Sequence, residues 1–230
     1  KGSGLEIPTP QPDVGEYELL VQRNMFHILR LLSILKREVV PTITIQKWRR
    51  RGALMRGILS KAVAESQVRD VDRIYKSREI QFRRHKVAML LLVDVSGSMN
   101  ERDAKDFLTT VGEVLGRWLR DEDFAILAFG SDYVRIKGFV EPFHTTRYRI
   151  GGLRCLGGTV LLKPLEEGRR MFKSRTGAER KICVIISDFC VDEPRLCVDK
   201  IAEMKRYGIS TIGIGICRVS EETVRSFSDY

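Results

Sequence analysis

A run of seven apolar residues, from Val87 to Val93, leads directly into an acidic residue, Asp94. An uninterrupted apolar run of this length predicts a strand that is buried on both faces, as the strands of parallel sheets are. From Lys86 onward, strand-like and helix-like patterns alternate along the sequence. This alternation predicts an α/β fold with a doubly wound, mostly parallel, Rossmann-like sheet that carries helices on both faces.

The other elements of this region are predicted from apolar periodicity and from flanking turn residues. The predicted helices cover residues 107–119, 161–171 and 195–207, and Ser220 can cap a further one. The predicted strands cover residues 124–129, 182–186 and 210–216, with a half-polar edge strand at 133–140. Residues 86–230 therefore form the main predicted domain.

Two segments precede this domain. Residues 14–85 predict a basic helical extension, with helices at 14–37 and 46–66. The first helix begins at Asp13 and Glu16, whose spacing is that of a capping box. Residues 1–13 contain three prolines and show no periodicity, which predicts a disordered linker or a cloning remnant.

The net charge of +10 comes almost entirely from the N-terminal part of the chain. Residues 1–86 contain 18 lysines and arginines against 9 acidic residues, whereas the remainder contains 22 against 21. Two clusters concentrate this charge, and they comprise Lys47, Arg49, Arg50, Arg51, Arg83, Arg84 and Lys86. Such clusters are typical of a solvated face or of docking on an acidic neighbour, and they also fit an anion or nucleic-acid contact.

The composition favours a protein of the reducing cytoplasm. The five cysteines are odd in number, show no C-x-x-C spacing and lie mostly in apolar runs. The longest apolar run has seven residues, against the roughly 20 that a membrane span requires. We therefore predict a cytoplasmic protein that has no membrane partner.

Oxygen-bearing side chains follow the predicted strands of the main domain. Asp94, Ser96 and Ser98 form a D-x-S-x-S turn immediately after the first strand. Thr159 follows two glycines, which allow an unusual loop conformation, and Asp188 comes just after a later buried strand. A set of ligands that consists only of oxygen atoms favours a hard cation.

The predicted topology brings these residues together. In a doubly wound sheet of order 3-2-1-4-5, the first and fourth strands are neighbours, and ligands bind at the carboxyl ends of the strands there. Asp94 and Asp188 follow those two strands. The predicted metal site and the predicted sheet therefore support each other.

Residues 86–217 resemble a von Willebrand factor A or integrin I-type domain, with the three elements of its metal-ion-dependent adhesion site in chain order. The resemblance implies that Ser96 and Ser98 bind the metal directly, and that Thr159 binds it directly or through water. It implies that Asp94 and Asp188 act largely through waters and hydrogen bonds. The implied ion is Mg²⁺, or Mn²⁺ or Ca²⁺ in its place, and it captures an Asp or Glu of a partner protein.

One position departs from the pattern of this family. Phe189 follows Asp188, where many members have glycine. The shape of the loop at this side of the metal is therefore predicted to differ.

Enzymatic alternatives lack their motifs in this sequence. A haloacid-type phosphatase requires a second carboxylate two residues after Asp94, where Ser96 stands. The sequence contains neither a phosphate-loop motif nor a nucleophile elbow, and its three histidines lack metal-ligand spacing. We therefore predict a binding module rather than an enzyme.

The segment before the domain is similar to that of cobaltochelatase T-type and nitric-oxide-reductase-activation D-type proteins. The similarity covers a W-R-R-R-G segment at 48–52, residues 72–75, the charged stretch 76–86 and residues 213–216. It implies an adaptor that links an AAA+ ATPase of the MoxR type to a client protein. Two alternatives stay open: a nucleic-acid-associated factor that uses the basic clusters, and a subunit of a metal-chelatase complex.

Overall fold

A computed structural model describes residues 7–38, 42–49, 75–82, 86–216 and 219–229, and for residues 36–38 and the two segments 42–49 and 75–82 it describes the backbone. The chain divides into two compact units. The larger unit combines Lys1–Ser33 with His85–Tyr230, and the smaller one is Ile34–Arg84.

The larger unit contains a five-stranded sheet. Its strands are β3 (Val87–Asp94), β4 (Phe124–Phe129), β5 (Tyr133–Lys137), β6 (Arg180–Ser187) and β7 (Ile209–Gly215). They lie in the order β5-β4-β3-β6-β7, and β5 alone among them is antiparallel to its neighbour. This is the predicted order 3-2-1-4-5 with an edge strand, so the predicted fold class is confirmed.

Helices connect these strands and cover both faces of the sheet. They are α1 (Val14–Glu38), α2 (Glu101–Trp118), α3 (Phe143–Thr146), α4 (Leu162–Lys173), α5 (Pro194–Arg206) and α6 (Glu221–Ser226). Helix α2 begins six residues earlier than predicted, because the Asn100 side chain caps it by accepting a hydrogen bond from the Arg102 amide. The predicted cap of α6 is confirmed, since the Ser220 hydroxyl accepts from the Thr223 amide.

Both faces of β3 are buried, which explains its uninterrupted apolar sequence. Leu90 and Leu92 belong to a core cluster on one face of the sheet, together with Phe172 of α4. Leu91 and Val93 belong to a second cluster on the other face. A strand covered on both faces has no solvent-facing position that would favour a polar residue. The apolar run is therefore a consequence of the central position of β3.

The prediction that residues 1–13 form a disordered linker is wrong for residues 7–13, which pack against the sheet unit. Ile7 is 7% exposed, and the carbonyl of Pro8 accepts a hydrogen bond of 2.9 Å from the amide of Arg135 in the edge strand β5. The amide of Asp13 donates to the carbonyl of Tyr148 at 3.0 Å. The reason is tertiary, because an exposed strand edge offers partners to a backbone segment that has no periodicity of its own.

Helix α1 begins as predicted, and it packs along α2. The Asp13 side chain accepts from the Glu16 amide at 3.0 Å, which caps the first turn. Tyr17 donates its hydroxyl proton to Glu113 at 2.8 Å, and Asn24 donates to Asp106. The two helices are therefore antiparallel, and the first part of the predicted N-terminal extension belongs to the larger unit.

The Tyr17 contact is a buried polar network. Tyr17 and Glu113 are 1% and 4% exposed, and burial together with the Glu113 charge raises the pKa of the Tyr17 phenol. Arg117 and Arg147 pair with the same carboxylate. The phenol therefore stays protonated and serves as a hydrogen-bond donor.

Replacing Tyr17 with phenylalanine is expected to lower the free energy of unfolding by ~1–3 kcal/mol, because the buried Glu113 carboxylate loses a donor. Urea denaturation of the whole chain measures this effect. Tyr207→Phe is the matched control, since Tyr207 is 60% exposed. Equal losses in the two variants would contradict a role for α1 in the stability of the larger unit.

In the smaller unit, the described backbone is a two-stranded antiparallel ladder. Strands β1 (Thr42–Arg49) and β2 (Tyr75–Phe82) pair with Thr42 opposite Phe82 and Arg49 opposite Tyr75. The helix predicted at 46–66 is therefore wrong for residues 46–49, and residues 50–66 lie outside the described part of the chain. The alternating β-branched residues at positions 42–45 favour a strand.

Among the described residues, no helix is long and apolar enough to cross a membrane.

Candidate metal centre

The turn after β3 places one carboxylate and two hydroxyls close together. Asp94 is fully buried at the end of the strand, and its Oδ1 accepts a 2.8 Å hydrogen bond from the amide of Ser96. The Oγ atoms of Ser96 and Ser98 lie 3.0 Å apart. Ser96 is buried and Ser98 is exposed, so the hydroxyl pair lies at the boundary between the protein core and solvent.

The second oxygen of Asp94 is bound by Ser187, a residue that sequence analysis missed. Ser187 is fully buried at the end of β6, and its hydroxyl donates to Asp94 Oδ2 at 2.5 Å. The same hydroxyl accepts a 3.0 Å hydrogen bond from the amide of Phe189. The register of β3 and β6 pairs Val93 with Ile186, which brings the next residue of each strand side by side. Ser187 thus fixes the orientation of the Asp94 carboxylate.

The loop that carries Thr159 is bound to the D-x-S-x-S turn through its backbone. The amide of Gly97 donates to the carbonyl of Gly157 at 2.6 Å, and the amide of Leu156 donates to the carbonyl of Val95 at 3.0 Å. Gly157 has a φ of 78°, a conformation that glycine adopts without steric cost. Thr159 itself is 8% exposed.

Asp188 follows β6 and is half-buried. Its Oδ1 accepts a 2.9 Å hydrogen bond from the amide of Cys190. Two residues further along the same loop, the amide of Asp192 donates to the carbonyl of Thr159 at 3.0 Å. The loops that carry Asp94, Thr159 and Asp188 are thus joined by hydrogen bonds at the carboxyl-end edge of the sheet, as the predicted topology requires.

Burial dominates the electrostatics of Asp94. Removal from water raises the pKa of this carboxyl, and the nearby charge of Asp188 raises it further, while hydrogen bonds from Ser187 and Ser96 lower it. Two carboxylates in one partly buried site repel each other. A bound cation would stabilise both of them in their charged form.

The donor set fits a small divalent cation. Adjacent vertices of an octahedron with metal–oxygen bonds of about 2.1 Å, the value for Mg²⁺, lie about 3.0 Å apart. The 3.0 Å separation of the Ser96 and Ser98 hydroxyl oxygens equals this spacing. Thr159 adds a third hydroxyl on the adjoining loop. Within the described part of the chain, no group of three or more His, Cys, Asp or Glu side chains could hold a metal ion, so the candidate site depends on hydroxyl oxygens.

Phe189 occupies the position where the family pattern often has glycine. Its φ of 55° lies in the left-handed region that favours glycine. The residue is 5% exposed, so its side chain is buried. The ring packs on Phe227 with 4.9 Å between the ring centroids. A Cβ atom on Gly213 would lie 3.2 Å from the Phe189 ring. The loop backbone at this position thus has the left-handed conformation that glycine adopts readily. The aromatic side chain fills a pocket beside α6.

The basic residues that were predicted as an anion or nucleic-acid contact are only partly described. Lys47 and Arg49 lie in β1, and Lys86 is exposed immediately before β3. Arg50, Arg51, Arg83 and Arg84 lie outside the described residues. Their role stays a prediction.

Comparison with known proteins finds a family match within the larger unit. Residues 89–190 match the family model of the von Willebrand factor type A (VWA) domain, and this range contains all five predicted metal-site residues. This part of the chain is a VWA domain. No curated protein sequence matches the chain.

Solved structures that are similar to this chain come from distant proteins. Proximal thread matrix protein 1 from the mussel byssus is 17% identical, with a TM-score of 0.52 and coverage of 63% of this chain and 42% of that chain. Another crystal structure of that protein, described as having a zinc-occupied metal-ion-dependent adhesion site motif, gives the same values. Manganese-loaded TRAP protein from Plasmodium vivax is 17% identical, with a TM-score of 0.48 and coverage of 61% of each chain. The chain therefore spans less than two thirds of the length of these proteins.

Proposed function

We propose that the VWA domain is a non-catalytic protein-binding module that captures a carboxylate of a partner protein through a bound Mg²⁺ ion. The observation that carries this proposal is the oxygen set at the carboxyl ends of β3 and β6. The hydroxyls of Ser96 and Ser98 lie in the same turn as the buried carboxylate of Asp94, and backbone hydrogen bonds join this turn to the loop of Thr159 and that loop to the one that carries Asp188.

The neutral charge of the hydroxyls explains why the bound ion would take a partner carboxylate as a further ligand. Three neutral ligands leave much of the charge of a divalent ion uncompensated, and Mg²⁺ ordinarily retains exchangeable waters. A bound ion would supply positive charge next to Ser98, which is exposed to solvent. An Asp or Glu side chain of another protein matches that position in charge and in ligand chemistry.

The described residues favour binding over catalysis. The Ser187 hydroxyl donates a hydrogen bond to Asp94 and is fully buried. It therefore cannot reach a substrate. Ser96 and Ser98 hydrogen-bond to each other rather than to a histidine or lysine base. Activation of a nucleophile requires a base within hydrogen-bond reach. The hydroxyls of the described site are therefore proposed as ligands rather than as nucleophiles.

For the partner, we propose an AAA+ ATPase of the MoxR type that remodels a client protein. The support is the sequence similarity of the segment before the domain to proteins that work with such motors. The ATPase would hydrolyse ATP, while this chain would connect it to the client through the metal site. A role in a metal-chelatase complex or on nucleic acid is the alternative outcome of the test below.

The test is capture of a purified MoxR-type ATPase by the immobilised whole chain, in Mg²⁺ and in EDTA. We expect capture in Mg²⁺, loss of capture in EDTA, and at least ~10-fold weaker capture by Ser98→Ala, which removes a proposed metal ligand. Ser174→Ala is the matched control. It follows the last residue of α4, about 18 Å along the helix from its first residue, and should bind like the wild type.

Two outcomes would contradict the proposal. Capture that persists in EDTA would show that the metal is not needed. Binding of nucleic acid that weakens steeply with salt and survives EDTA would instead support the nucleic-acid alternative.

A further inference from the structure

The peptide group between Gly157 and Gly158 lies immediately before Thr159 and is hydrogen-bonded at both ends. Its carbonyl, on Gly157, accepts a 2.6 Å hydrogen bond from the amide of Gly97 in the D-x-S-x-S turn. Its N–H, on Gly158, donates a 2.7 Å hydrogen bond to the hydroxyl of Ser131. Ser131 lies in the turn between β4 and β5, 27 residues away in sequence.

We infer that Ser131 is a positioning residue of the metal centre, which holds the 157–158 peptide, and with it the start of the Thr159 loop, against the D-x-S-x-S turn. This inference rests on the proposed function. It adds a residue that is not itself a ligand and that belongs to none of the three loops of the predicted site.

The two glycines are the reason that such a residue is needed. Glycine adopts positive and negative φ values with similar ease, so a peptide between two glycines can rotate at little steric cost. Rotation would break the hydrogen bond from Gly97 to the Gly157 carbonyl and would change the direction in which the chain enters Thr159. The Ser131 hydroxyl opposes this rotation because it binds the N–H at the opposite end of the same peptide.

The rest of the turn holds Ser131 in place. Its own amide donates to the carbonyl of Leu156 at 2.8 Å, and the amide of Val160 donates to the carbonyl of Gly130 at 2.7 Å. A Cβ atom on Gly130 would lie 2.5 Å from the Cβ of Leu156, so the two segments are in close contact. These are backbone contacts, which a change of the Ser131 side chain leaves in place. The hydroxyl is thus the part of the contact that a substitution can remove selectively.

The test compares Mn²⁺ affinity in wild-type protein, Ser131→Ala and Ser131→Thr, measured from the electron paramagnetic resonance signal of free Mn²⁺. We expect about 10-fold weaker binding by Ser131→Ala, in the range found for outer-shell groups of metal sites, and recovery in Ser131→Thr, which keeps the hydroxyl. Ser226→Ala is the matched control, because the Ser226 hydroxyl bonds to Thr223 within its own helix.

A second measurement uses the metal-free protein. Amide hydrogen exchange of Gly158, followed by NMR, should be faster in Ser131→Ala than in the wild type and in Ser131→Thr, because the N–H loses its acceptor. Thermal unfolding of each variant shows whether the fold is retained.

The outcomes separate this inference from the proposed function. If the wild type binds Mn²⁺ and Ser131→Ala binds it equally well, the positioning role is wrong and the proposed function stands. Unchanged exchange at Gly158 also overturns the positioning role. A wild-type chain that binds no Mn²⁺ contradicts the proposed function and this inference with it.

Discussion

Asp94→Asn is expected to bind Mn²⁺ about 100-fold more weakly than the wild type, the upper end of the range for groups around a metal site, while it keeps the fold. Asparagine has nearly the same shape as aspartate, and its side-chain oxygen can still accept the hydrogen bond from the Ser96 amide. What it lacks is the buried negative charge and the second oxygen, which accepts the proton of the Ser187 hydroxyl. Titration of free Mn²⁺ measures the loss directly.

The same variant should be less stable than the wild type when Mn²⁺ is present, but not when the metal is removed. In EDTA, Asp94→Asn should be at least as stable as the wild type, because burial penalises a carboxylate whose charge no cation compensates, and raises its pKa. With Mn²⁺ at 100 times the dissociation constant of the wild type, the wild type should gain about 2.7 kcal/mol and the variant about 0.4 kcal/mol. Thermal unfolding in the two conditions gives both comparisons.

Asp199→Asn is the control, because Asp199 is an exposed aspartate on α5. It should respond to Mn²⁺ like the wild type. Equal stabilisation of Asp94→Asn and wild type by Mn²⁺ would show that the ion binds elsewhere. That result would remove the basis of the proposed function.

Phe189→Ala is expected to lower the free energy of unfolding by ~3–5 kcal/mol, the range for removal of a buried phenylalanine side chain. The ring is 5% exposed and contacts Phe227, so alanine leaves a cavity beneath α6. Urea denaturation measures the change. Phe26→Ala is the matched control, since Phe26 is 68% exposed and its removal should cost about 0.5 kcal/mol or less.

Phe189→Gly should be more stable than Phe189→Ala, by about 1 kcal/mol, which reverses the usual order of these two residues. The reason is the φ of 55°, which costs a residue with a Cβ atom more than it costs glycine. If the alanine variant proves equal or superior to the glycine variant, the left-handed conformation of this residue is not a source of strain.

The Phe189 pair of variants also tests a link between the core and the metal centre. The amide of Phe189 donates to the Ser187 hydroxyl, which in turn donates to Asp94. Glycine preserves this backbone conformation more easily than alanine does. We therefore expect Mn²⁺ affinity closer to wild type in Phe189→Gly than in Phe189→Ala.

The sequence was sufficient to predict the sheet and the meeting of its polar loops. An apolar run such as residues 87–93 belongs to a strand buried on both faces, and parallel strands connected by helices end at one edge of the sheet. Asp94 and Asp188 therefore converge whatever the details of packing. Local rules also located the caps at Asp13 and Ser220, because a cap depends on neighbours within three residues.

Tertiary structure decided the residues that orient the site. Ser187 binds Asp94 because of the register between β3 and β6, and Ser131 binds Gly158 because a distant turn approaches the Thr159 loop. The packing of residues 7–13 on the edge of β5 has the same origin. Hydrogen bonds between segments far apart in sequence leave no periodic pattern in either segment. The sequence by itself thus determined which side chains could bind a metal, and only the fold determined which neighbours hold them in position.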